Sequence, residues 1–163
     1  MLAQTAQSLT TSLGFLLLAG ALILDSLLVF LVIRTNPRNA TNIIFFLLGL
    51  FIILWLSTYV AYSPEFSKYT ILLVRLGIFF AAPMSALFFL LGHTFPQERL
   101  RLDGRVFLIV VFATLAVMVV NLTPLAVSDA EIVNGSLSIT SGIGMAPFSI
   151  LSTLFSILAV FFL

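Results

Sequence analysis

Residues 13–33 read LGFLLLAGALILDSLLVFLVI, an apolar run whose one charged side chain is Asp25. As an α-helix that run is about 30 Å long, the thickness of a bilayer's hydrocarbon core. The run ends at Arg34-Thr35-Asn36-Pro37-Arg38-Asn39, a polar turn in which Pro37 cannot continue the helix. Upstream there is no basic segment, and the run is too long for the apolar stretch of a cleaved secretory signal. It therefore reads as a retained first membrane span.

The same pattern repeats along the chain. A second span covers about 43–62 and is broken by Ser63-Pro64-Glu65. A third covers about 69–92, with Arg75 near its start and Pro83 near its middle, and a charged stretch from His93 to Arg105 follows. The fourth covers about 106–125. A polar loop from Ser128 to Ala146 leads into a fifth at about 148–163, which begins near Pro147. The expected fold is an all-α integral membrane protein, a polytopic bundle with five spans in one domain over residues 1–163.

Composition agrees. Of 163 residues, 61% are hydrophobic and 8% charged, against about 25% charged in an ordinary soluble domain. Lipid must then be the solvent for much of the surface. A net charge of +1 argues for no nucleic-acid partner. Cysteine is absent and His93 is the single histidine, so neither a thiolate site nor a histidine cluster is expected, and no cofactor is implied.

Basic residues set the expected orientation. Arg34, Arg38, Arg99, Arg101 and Arg105 lie on one side, and Lys68 and Arg75 on the other. The first turn is expected in the cytoplasm and the N-terminus outside. The last span ends on Ala159-Val160-Phe161-Phe162-Leu163 with no anchoring residue, which predicts a chain that continues beyond it.

Five residues are candidates for a ligand site or a switch: Asp25, Arg75, Trp55, Tyr59 and Pro83. A carboxylate at mid-helix costs about 2.5–3.5 kcal/mol to insert, so Asp25 should face the bundle and have a partner. It is either a sensing group or a packing device. With Gly14, Leu18, Ala21 and Leu28 it forms a stripe whose small members permit close helix packing. Arg75 is the obvious partner, but the two depths differ by about 9 Å. Otherwise Arg75 is an interfacial anchor or an anion contact.

Trp55, Tyr59 and Tyr62 share one helix face, as a ligand pocket or an interfacial aromatic belt would have them. Ser149, Ser152, Thr153 and Ser156 form a hydroxyl stripe on the fifth helix, read as interhelical packing in preference to a polar path. Pro83 predicts a kink. In the last loop, Glu131-Ile132-Val133, Asn134-Gly135 and Ser136-Leu137-Ser138-Ile139 predict a hairpin with a type I′ turn. Asn39, Asn121 and Asn134 each start an N-x-[ST] triplet, a pattern common by chance. No constellation for covalent chemistry is present, so these residues are not expected to form an enzyme.

The order of features is itself informative. Arg34 to Asn42 joins two membrane helices, and Trp55 follows inside the second. A helix with Arg75 and Pro83 then closes on Phe95-Pro96 and a basic turn, and a loop from Gly135 to Gly144 precedes the fifth helix. This resembles the N-terminal seven-transmembrane region of bacterial sensor histidine kinases. The resemblance implies two more spans, a cytoplasmic kinase or cyclase module, an inner-membrane location and a homodimer if a kinase follows. It supplies no ligand residues. The expected function is a sensory input domain that couples a stimulus, such as a small ligand of unknown identity, to that module. The alternative is a small multi-pass transporter or channel subunit.

Overall fold

A computed structural model describes residues 2–60, 68–94, 102–133 and 136–162. The elements run α1 (Leu2–Thr35), α2 (Ala40–Val60), α3 (Thr70–Thr94), α4 (Gly104–Asn121), β1 (Val127–Val133), β2 (Ser136–Ser141) and α5 (Met145–Phe162). Tyr62, the break at Ser63-Pro64-Glu65, Phe95-Pro96, Arg99, Arg101, the turn residues Asn134-Gly135 and the terminal Leu163 lie outside the described residues.

Among the described residues, four helices are long and apolar enough to cross a membrane: α1 over Leu13–Thr35, α2, α3 and α4. Leu16, Ile109 and Phe112 are each about two-thirds exposed or more on these helices, an arrangement that only lipid makes favourable. The chain is a multi-pass membrane protein. The fifth helix is apolar from Met145 to Phe161, a shorter stretch of about 25 Å.

The bundle is organised around α3, which packs against α2, α4, α5 and β1, while α1 packs against α2. Ile44 and Leu48 of α2, Leu87, Phe89 and Leu90 of α3, Val110 of α4, and Phe155 and Ala159 of α5 form the main core. Within it the Phe89 and Phe155 rings stack 5.5 Å apart. Pro83 is buried inside α3, which runs through it without a break.

Helix ends follow local chemistry. Asn36 and Asn39 order the turn after α1. The Asn36 carboxamide oxygen accepts from the Arg38 N–H, and that of Asn39 caps α2 by accepting from the Thr41 N–H at 2.8 Å. Asp103 caps α4 through the Arg105 N–H.

Several boundaries differ from expectation, among them that of α2, which begins at Ala40, where Asn39 caps it, and not at Ile43. α1 begins at Leu2 and not near Leu13, because hydropathy marks where lipid starts and the polar residues before it still form helix. α4 stops at Asn121 and not Leu125, since Pro124 disfavours helix at Thr123 and the chain turns over residues 122–126. α5 starts at Met145, before Pro147, where a missing N–H costs nothing.

The hairpin is present and longer than its sequence signal. Register pairs Val133 with Ser136, Ile132 with Leu137 and Glu131 with Ser138, as a two-residue connection requires, and continues to Val127 and Ser141 through an irregularity at Val127/Asp129. Its base is closed by Gly142 and Gly144, whose N–H groups donate to the carbonyls of Ala126 (2.9 Å) and Leu125 (2.8 Å). A Cβ at either glycine would run into the Leu125 main chain.

Candidate functional site

The structure disperses the five candidates instead of gathering them. Asp25 sits between α1 and α2, half-buried, beside Gly49. A Cβ on Gly49 would overlap the Val29 Cγ2 and lie 3.6 Å from the Asp25 Oδ1. The helix contact therefore involves Leu18, Leu22, Asp25 and Val29, with Val29 buried, whereas Gly14, Ala21 and Leu28 are exposed. This corrects the predicted stripe: the small residue that permits close approach is Gly49 on the opposite helix. The Asp25 Oδ2 is buried with no hydrogen-bond partner.

Arg75 does not pair with Asp25. Its Nε and Nη2 both donate to the Val127 carbonyl, at 3.1 and 2.8 Å. Packing separates the two residues as well as depth: Asp25 lies on the α2-facing side of α1, and Arg75 on the side of α3 that meets the hairpin. Val127 is fully buried and packs with Ala130 against Val74, flanked by Ile71 and Ile78. The guanidinium thus fastens the hairpin to the central helix, using a fork geometry that suits two donors converging on one region of charge.

Asn121 is a residue that sequence reading missed. It is fully buried, and its Nδ2 donates to the Ile78 carbonyl on α3 at 3.3 Å, while its Oδ1 has no partner. It ties the end of α4 to the turn of α3 that precedes Pro83. An amide inside an otherwise apolar run is the signal the sequence offers for it.

Trp55 and Tyr59 touch edge to face, with centroids 5.1 Å apart, yet they line different grooves. Tyr59 borders a groove with Gly14, Phe15 and Leu18 of α1. Trp55 borders a cleft of about 410 Å³ between α2, α3 and α5, walled by Phe88 and Phe148 and holding the hydroxyls of Ser85, Ser152 and Ser156. Pro83 borders a third, almost wholly apolar groove of about 190 Å³ between α2, α3 and α4.

The hydroxyl stripe of α5 is not its packing face, against expectation. Phe155 and Ala159 are buried there, whereas Ser149, Thr153 and Ser156 are exposed. Volume explains this, since the wide core beside Leu87 and Phe89 needs an aromatic ring more than a hydroxymethyl group. Among the described residues, no group of three or more His, Cys, Asp or Glu is placed to hold a metal ion.

No family model, curated protein or solved structure matches the chain.

Proposed function

We propose that this chain is the membrane-embedded signal-input part of a bacterial sensor protein of the histidine-kinase type, with α5 as its fifth span and its N-terminus outside the cytoplasmic membrane. The observation that carries the reading is the attachment of the hairpin to α3 by Arg75. One helix, packed against three others, runs from the hairpin to the opposite end of the bundle. A stimulus that displaces the hairpin displaces α3, and it acts only through its different affinities for the two arrangements.

A transporter or channel subunit is less well supported. That class needs a polar path at mid-membrane depth. The grooves between these helices are walled mainly by Leu, Ile, Phe and Met; one of them carries the serines Ser85, Ser152 and Ser156, and neither carries a charged side chain. The deciding experiment is to read the coding DNA past the Leu163 codon. Two further apolar segments and a kinase or cyclase module support the input reading. A stop codon there, or membrane helices alone, overturns it and puts the transporter reading first.

A further inference from the structure

We infer that the cleft between α2, α3 and α5 binds a lipid-soluble molecule with a linear apolar body and a single uncharged hydroxyl or carbonyl group, entering sideways from the bilayer. The inference takes α5 as a membrane span, as proposed above, and otherwise rests on cleft geometry and not on the signalling output.

The first observation concerns hydroxyls. Inside a membrane helix a serine or threonine ordinarily satisfies its hydroxyl on a carbonyl three or four residues earlier. Ser57, Thr58, Ser85, Thr94 and Thr114 all do so here, at 2.7–3.3 Å. The hydroxyls of Ser152 and Ser156 make no such bond, like those of Ser26, Ser149 and Thr153, but these two alone among them line the cleft. They are one turn apart on α5 and present two free donor–acceptor groups to whatever occupies it. The Ser85 hydroxyl, on the facing wall, donates to the Ala82 carbonyl and keeps its acceptor capacity.

Depth selects the ligand class. Ser156 lies eleven residues beyond Met145, about 16 Å along α5 and near the middle of a core about 30 Å thick. A charged or zwitterionic headgroup cannot be brought to that depth cheaply, whereas one hydroxyl or carbonyl can. Trp55, Phe88 and Phe148 supply a flat apolar wall on which an alkyl or isoprenoid chain can lie. The requirements are those of a fatty or isoprenoid alcohol or of a lipophilic ketone, and a phospholipid does not meet them.

Trp55 is the chain's single tryptophan and borders the cleft, so its fluorescence reports occupancy directly. The whole protein in lipid nanodiscs would be titrated with a terminally brominated fatty alcohol and with the brominated alkane of the same length. The alcohol is expected to quench Trp55 saturably, at a mole fraction about three- to tenfold below that needed for the alkane, the range one net hydrogen bond provides. The double variant Ser152→Ala/Ser156→Ala should lose that advantage. The variant Ser149→Ala/Thr153→Ala, altered on the neighbouring groove, should keep it. Linear, unsaturable quenching by both probes overturns the proposal. So does equal affinity for alcohol and alkane that the serine pair does not alter. Neither outcome bears on the output module, which the coding DNA decides separately.

Discussion

Arg75 of α3 holds the main-chain carbonyl of Val127 with two of its five donors, at 3.1 and 2.8 Å, across 52 residues of sequence. The contact turns a two-stranded hairpin, marginal by itself, into a part of the bundle. Charge-assisted hydrogen bonds of this kind contribute about 1.5–3 kcal/mol. Arg75→Met is therefore expected to leave insertion intact while amide exchange speeds up across Val127–Ser141. Arg75→Lys should recover only part of the protection, because an ammonium is a point charge without the guanidinium's planar fork. Unchanged exchange in both variants would mean that the apolar contacts of Val127 and Ala130 suffice.

The two glycines at the hairpin base give a sharper test. A Cβ at Gly142 or Gly144 meets the Leu125 backbone, which cannot swing aside as a side chain can. Gly142→Ala and Gly144→Ala should each destabilise the fold by about 2–3 kcal/mol, within the range for overpacking a close contact. Gly104→Ala is the control, since nothing lies within 4 Å of its Cβ position. Resistance to thermal aggregation in detergent would rank the three, and a Gly104 variant as weak as the others would refute the steric account.

Gly49 and Val29 form a comparable pair at the α1–α2 contact. Gly49→Ala drives a methyl group into the Val29 Cγ2 and should loosen α1, with a loss of about 1–3 kcal/mol. Adding Val29→Ala removes the obstructing methyl groups and should restore most of that loss. Crosslinking efficiency between engineered cysteines on α1 and α2 would follow both changes. A double variant no better than Gly49→Ala alone would show that the two residues do not act on each other.

Asp25 can be tested for stability and for signalling at once. Its Oδ2 is buried without a partner, an omission that costs about 1–3 kcal/mol or more. If the carboxyl is only a packing element, Asp25→Leu should raise resistance to unfolding by a similar amount. If it senses the stimulus, Asp25→Asn in the full-length protein should flatten the response with insertion unaltered. A response of wild-type size in Asp25→Asn would remove the carboxyl from the sensing machinery.

The sequence alone determined the membrane class, the five helices and the hairpin register, for reasons local to each segment. The apolar run from Leu13 to Ile33, with Asp25 its one charged residue, has only one favourable solvent. Pro37 stops a helix wherever the rest of the chain goes. The two residues between Val133 and Ser136 set which strand residues face each other. In lipid, however, a helix that is apolar all round carries no stripe to say which face meets protein, because lipid tails are as apolar as leucine. Only the tertiary structure decided that Asp25 lies against Gly49, that Arg75 takes a carbonyl of the hairpin in place of a carboxylate, and that Phe155 packs while Ser152 and Ser156 line a cleft. Such choices turn on close steric fit and on unmet polar atoms between residues distant in the chain, and neither leaves a periodic trace in the sequence.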